Sequence, residues 1–246
     1  MGLKAAPEDQ ALLLELHDFD TRVQQLGHRL RTLPETARLA ELAAASETLR
    51  RSVIEQGGAL EDAQTELGRI ESDVAVVEAR IERDRGRLEA SSSMKDVQAL
   101  EQELAALARR RDELEEIELA VMEKVEELEV ALSSVRLQLE AHEVEVGTTT
   151  ASRDAGAAQI EAERAHVTAD RETVAGRVPA ELLALYEKQR ARYGAGASHL
   201  RGGVSSASGV ALNATDLGVV RAAAPDDVLI CPDSSAILVR TAESGI

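Results

Sequence analysis

The sequence predicts a mainly α chain: a long antiparallel coiled-coil helical hairpin over residues 1–177, then, over 178–246, a short helix and a small β head. Three observations predict it. Two heptad seams of equal length run through the middle of the chain, a serine-rich break separates them, and beyond residue 177 the heptads give way to glycines, prolines and short apolar runs. Phe19, Tyr186 and Tyr193 are the only aromatic residues, so a large globular core of the usual aromatic-rich kind is excluded. The abundance of Ala, Glu, Leu and Arg is that of long helices.

Taken in order, Leu12, Leu16, Phe19, Val23, Leu26, Leu30 and Leu33 form a first apolar seam, interrupted at "TLPET", where Pro34 suits the first turn of a new helix. Alternate steps of three and four from Leu39 to Leu88 meet fifteen positions, twelve of them apolar, and the same walk from Val97 to Val146 again meets fifteen with twelve apolar. Seams sustained over seven repeats argue for a supercoil. Between them "EASSSMKD" carries Ser93 and Asp96 at capping-box spacing, which places the turn at 90–95.

Two equal seams around a short turn fold back on each other. Straight, such a hairpin would be about 120 Å long. Pro34 faces the weakly helical "VGTTTAS", so a joint that bends the hairpin is expected near 34 and 147–150. Gly57 and Gly58 add a softer point, since each glycine costs a helix roughly 1 kcal/mol relative to alanine. The polar seam residues Arg111, Glu118 and His142 could set register or hold a partner; the plainer reading is that they snorkel from a narrow seam, with His142 packed rather than serving as a ligand.

After Pro179, "AELLALYEKQRARY" reads as the short helix and "GAG" as its exit. In the head, "SGVALN", "DDVLIC" and "AILVRT" read as strands, "APDD" and "CPDSS" as turns, and "NATDLGVVRAAAP" as a capped helical turn. Val228, Ile230, Ile237 and Val239 alternate as if to bury one face. Ser205 and Ser208 form an S-x-x-S pair and Cys231 and Ser234 a C-x-x-S pair.

Charge divides along the same line. Residues 1–177 hold 22 basic and 38 acidic side chains, whereas 178–246 hold 6 and 7. Affinity for phosphates comes from Lys and Arg, so nucleic-acid binding would have to use the head. One cysteine excludes an internal disulfide, and with no leader and no apolar run of bilayer length a cytoplasmic protein without membrane contact is expected. Enzyme signatures are weak. "GAGAS" lacks the Lys-Ser or Lys-Thr of a phosphate loop, Ser198 and His199 read as linker, and Cys231 has no evident histidine and acid partners. The many carboxylates read as solvated helix faces paired with Arg at i to i+4.

The chain resembles the bacterial family of coiled-coil hairpin proteins with a C-terminal C4-type zinc ribbon, in its actinobacterial form. The resemblance runs through "KAAPEDQ", "LPE", "RDRGRLEA", "DVQALEQELAALARRRDELEE", "PAELLALYEKQR", "LRGG", "RAAAPDDV" and "ILVRTAESG". It implies no catalytic activity and an adaptor role, with protein or nucleic-acid partners. It also places the family's four zinc ligands on Ser205, Ser208, Cys231 and Ser234, three of which are serine here.

Zinc sites are built from thiolates, imidazoles and occasional carboxylates, and serine hydroxyls do not ionise near neutral pH. No cofactor is therefore expected, and His199, Asp216 and Asp233 lack knuckle spacing to replace the missing ligands. Without a metal term on the order of 10 kcal/mol, the head would have to lean on its neighbouring helix. Two functional classes follow. One is a non-enzymatic adaptor or scaffold that holds a macromolecular partner, a protein, on the rod or in the cleft between rod and head, through seam-edge residues such as Ile117, Leu119 and Val130. The alternative is a nucleic-acid-binding head using Lys188, Arg190, Arg192, Arg201 and Arg221, with Tyr193 for stacking, against which the overall acidity argues.

Overall fold

A computed structural model describes residues 2–245. Helices α1 (Pro7–Arg31), α2 (Pro34–Ala90), α3 (Met94–Ala175) and α4 (Ala180–Tyr193) precede strands β1 (Ala197–Arg201) and β2 (Val204–Ser205), helix α5 (Ala214–Ala222), strands β3 (Leu229–Ile230) and β4 (Ile237–Val239), and a 3₁₀ turn at Ala242–Ser244. The chain divides into two compact units, one of residues 37–151 and one that joins the chain up to Thr36 to everything from Ser152 onward. Composition divides the sequence at 177/178. The second unit divides earlier because α1 and the end of α3 pack with the head.

The 37–151 unit is the antiparallel hairpin of α2 and α3. Its buried residues, Leu42, Ser46, Ala63, Ile70, Ile81 and Asp84 on α2 with Leu100, Leu114, Val121 and Leu132 on α3, all stand at heptad-seam positions. The register is read from pairs that cross it: Arg38 to Glu145 at 2.7 Å, Arg50 to Glu143 at 3.3 Å, and Arg80 to Glu103. His142 is half-buried and its Nε2 lies 2.8 Å from the Leu42 carbonyl oxygen, packed as a seam residue. Exposed ion pairs contribute roughly 0–1 kcal/mol each, so the seam supplies the stability and the pairs report the register.

The two heptad seams, folded back at 90–95, are expected to bring Ile81 opposite Leu104. In an Ile81→Cys/Leu104→Cys variant the two thiols should therefore oxidise to a disulfide within one chain, read as a faster-migrating monomer on non-reducing gels. Crosslinks formed only between chains would refute this register.

At the turn the Ser93 amide donates to Ser91 Oγ at 3.4 Å and the Val97 amide to the Ser93 carbonyl at 3.0 Å. The expected Ser93–Asp96 capping box is not among the described hydrogen bonds. The other expectation is a joint near Pro34 and residues 147–150. Pro34 does start a new helix, but α3 runs unbroken through Gly147–Thr150, where Thr148 Oγ1 donates back to the Glu145 carbonyl at 3.0 Å. Gly and Thr cost at most about 1 kcal/mol each in a helix, too little to break one that is packed on both sides of them.

In the other unit, α1 starts at Pro7 with Glu8 and Asp9 in its first turn and ends with His28, Arg29 and Arg31 in its last, charges that suit the helix dipole. Helix α4 ends at Gly194, whose φ of 86° is the left-handed cap. The sheet order is β2-β1-β4-β3, with β1 and β4 parallel at the centre and β2 and β3 antiparallel at the edges. Ser198 and His199, read from sequence as linker, thus lie within a central strand. "SGVALN", read as a strand, contributes only the isolated Val204–Ala211 bridge.

Strand β4 is buried on both faces rather than one, because cores lie on each side of the sheet. Ile237 and Val239 join Leu12, Leu13, Leu16, Val174, Leu182 and Tyr186 from the helices, whereas Leu238 joins Leu200, Leu212, Val220 and Cys231 under α5. Ile230, expected on a buried face, is 43% exposed on the edge strand. The chain's start is tied to the same unit: the Val228 amide donates to the Leu3 carbonyl at 3.1 Å and Lys4 pairs with Asp226 at 3.0 Å. That pairing raises the pKa of Lys4 and lowers that of Asp226.

Candidate functional site

The S-x-x-S and C-x-x-S stretches fold into the same turn. In the first, the Ser205 amide donates to the Val210 carbonyl at 3.1 Å, the Gly209 amide to the Ser205 carbonyl at 2.8 Å, and the Val210 amide to Ser208 Oγ at 3.2 Å. In the second, Cys231 donates to Ala236 at 2.8 Å, Ser235 to Cys231 at 3.0 Å, and Ala236 to Ser234 Oγ at 3.4 Å. The residue after each pair is left-handed, Gly209 at φ 69° and Ser235 at φ 60°. A non-glycine residue accepts that conformation at a cost, and its occurrence at the matching place shows that the turn geometry dictates it.

The two turns meet at their first members. Ser205 and Cys231 are fully buried, and the Cys231 thiol donates to Ser205 Oγ at 3.4 Å; Ser208 and Ser234 are half-buried at the rims. Ser198 of β1, which carries no motif, reaches into the same place with its Oγ 2.6 Å from Ser205 Oγ. Burial works against ionisation of Cys231, but hydrogen bonds with the Ser205 and Ser234 side chains and from the backbone of Ser234 and Asp233 outweigh it and hold the thiol below its ordinary range. The donor set does not fit zinc. It offers one thiol and three hydroxyls, and no group of three His, Cys, Asp or Glu converges anywhere among the described residues. His199 is instead bonded through Nε2 to Thr241 Oγ1 at 2.7 Å, and Asp216 pairs with Asn213 to cap α5, the cap expected from sequence.

A second polar group lies where α1, α3 and α4 meet. Asp20, with only 6% of its side chain exposed, accepts from Tyr186 Oη at 2.6 Å, Arg171 Nε at 2.7 Å and Arg190 Nη1 at 3.1 Å, while Glu187 pairs with both arginines. Burial first, then the bond to Asp20, pushes the Tyr186 phenol well above its ordinary range. Below about pH 10 folded and unfolded chains both keep that proton. Above it only the unfolded chain releases it, so this unit loses stability as pH rises. Arg171 is likewise raised, chiefly by its bond to Asp20.

The basic residues of the head are differently placed. Arg190 belongs to the Asp20 group, Arg201 Nε pairs with Glu243 at 2.8 Å, and Arg192 lies 5.2 Å from the centroid of the Tyr193 ring. Lys188 and Arg221 are exposed. Sequence reading missed Asp20, Ser198 and Arg240. The last donates to the carbonyls of Ala223, Ala224 and Asp227 at 2.6–3.0 Å and closes the loop after α5. Asp20 had a signal, being an acid inside the first heptad run; Ser198 and Arg240 had none.

Comparison with known proteins agrees with this architecture. Residues 16–194 match the model of the CT398-like coiled coil hairpin domain. The chain belongs to that family. A family relative, uncharacterized protein Rv2229c of Mycobacterium tuberculosis, is 31% identical over 239 residues, covering 97% of this chain and 98% of its own. A solved structure from Mycobacterium smegmatis aligns with a TM-score of 0.87 at 34% identity, over 97% of this chain and 100% of that one. CT398 of Chlamydia trachomatis shares the fold, with a TM-score of 0.66 at 20% identity over 95% and 98%. No helix among the described residues is long and apolar enough to cross a membrane.

Proposed function

We propose that this protein is a non-enzymatic, cytoplasmic adaptor that holds a protein partner on the α2–α3 hairpin. The observation that supports the reading is a pair of apolar side chains on one side of α3 left uncovered within the hairpin unit: Leu119 is 62% exposed and Val130 71% exposed. Side chains of that size cost free energy when left in water. Glu123, Glu126 and Glu127 group around Val130, and residues 37–151 carry 14 basic against 27 acidic side chains. The matching partner surface is an amphipathic helix with a basic rim, since apolar anchors supply affinity and charge supplies register and encounter rate.

The test is capture of partners from native cells by the full chain and by a Leu119→Glu/Val130→Glu variant. The variant should keep its helicity by far-ultraviolet circular dichroism and weaken partner binding at least about tenfold, as expected when two anchors are lost. Undiminished capture would refute the proposed surface. Retention of mixed nucleic acid, lost steeply with salt, would favour the head as binding element instead.

A further inference from the structure

We infer that the head is a metal-free ribbon, its two knuckle turns joined by a chain of hydroxyl and thiol hydrogen bonds that runs from Cys231 through Ser205 to Ser198. This goes beyond the adaptor reading and is independent of it. Three observations carry it.

The two turns share one backbone pattern, down to the left-handed residue after each pair, and the hydrogen bonds that define the pattern are made within the protein. Those bonds close each turn without a ligand field.

The buried polar atoms form one consistent sequence of donors. The Cys231 thiol donates to Ser205 Oγ at 3.4 Å, the Ser205 hydroxyl lies 2.6 Å from Ser198 Oγ, and Ser198 lies 3.5 Å from Ser206 Oγ at the surface. Written in that direction, each hydroxyl donates once. Ser198 Oγ additionally accepts the Ala207 amide at 3.1 Å, and Ser206 Oγ accepts the His199 amide at 2.8 Å. Ser198 and Ser205 are fully buried, yet neither is among the buried side chains left without a partner. Buried hydroxyls are tolerated only when paired in this way.

Ser198 is the third observation. It stands on β1, seven residues before the first knuckle position and outside both pairs, and it takes the amide hydrogen of Ala207 from within the first turn. On the other side, Cys231 packs with Leu200, Leu212, Val220 and Leu238, as a small apolar residue would. A hydroxyl from a neighbouring strand and an apolar cluster thus occupy the two sides of the place where the turns meet.

The experiment uses the full chain purified without added metal, with the near-ultraviolet dichroism of buried Tyr186 as the report of this unit's folding. Elemental analysis should find less than about 0.1 zinc per chain, and neither a chelator nor excess zinc should move the melting temperature by more than about 1 °C, because no closed set of thiolates and imidazoles exists. Ser198→Ala should lower that temperature by roughly 5 °C and quicken native-state alkylation of Cys231 about tenfold as the chain opens. Ser208→Ala, at a knuckle position but outside the chain of hydroxyls, should leave both nearly unchanged. Should Ser198→Ala unfold the head outright, a Ser205→Cys/Ser208→Cys/Ser234→Cys variant gives a separate reading: it takes up one zinc per chain, the backbone being already arranged. One zinc per unmodified chain, a chelator-sensitive melt, or equal costs for the Ser198 and Ser208 substitutions would overturn the hydroxyl chain. Failure of the triple variant to take up zinc would overturn the knuckle assignment.

Discussion

Asp20→Ala should destabilise the unit formed by α1, α4 and the sheet by roughly 3–5 kcal/mol, the cost of breaking a buried charge network from one side. Among the described residues the carboxylate alone touches Tyr186, Arg171 and Arg190 together. Its removal strands the Tyr186 hydroxyl in a site with no solvent exposure and leaves Arg171, 16% exposed, with Glu187 alone. Asp20→Asn keeps an acceptor oxygen for the phenol but not the charge facing two arginines, so it should fall between alanine and the native residue. By contrast Arg22→Ala removes a pair with Glu163 that is about half exposed on one side and should cost less than about 1 kcal/mol. Denaturant unfolding followed by near-ultraviolet dichroism separates these outcomes. A cost for Asp20→Ala as small as that for Arg22→Ala would show that the network adds nothing to stability.

The contrast between these two aspartate and arginine sites also explains what could be read from the sequence. Period is visible in a sequence: every buried residue of the α2–α3 hairpin stands on the heptad walk, and the register followed from the lengths of two seams around one serine-rich turn. Turn chemistry is visible too, as Asn213 capping α5 shows. The central strand β1 was not visible. "ASHLR" has neither alternation nor β-branched residues, and it becomes a strand because β4 pairs with it in parallel across a crossover of more than thirty residues. Intrinsic strand preference is weak beside such tertiary pairing. The same crossover carries Ser198 to Ser205 and Cys231, so the hydroxyl chain could not be foreseen from the knuckle spacing. The Gly147–Thr150 stretch, weakly helical by composition, stays inside α3 for the converse reason, because local propensity there is too small to oppose packing.

Gly196→Ala is expected to be the most damaging single-methyl change in the chain. A Cβ at this position would stand 2.5 Å from Cε2, 2.6 Å from Cδ2 and 2.7 Å from Cζ of Tyr186, all far inside van der Waals contact. Neither side can yield easily. The ring is fully buried and its hydroxyl is held by Asp20, while the Gly196 carbonyl accepts the Ile237 amide at 3.0 Å and so fixes the strand entry to β4. Alanine does narrow the unfolded ensemble, which favours folding by roughly 0.4–1 kcal/mol. Overpacking a core costs roughly 1–3 kcal/mol, and with neither neighbour free to shift the upper end applies, so the net effect here should be a loss of about 2 kcal/mol. A double-mutant cycle identifies the cause. In a Tyr186→Leu background the methyl has room, so Gly196→Ala should cost less than about 1 kcal/mol and the two changes should be strongly non-additive. Equal costs in both backgrounds would place the penalty in the backbone and not in the ring.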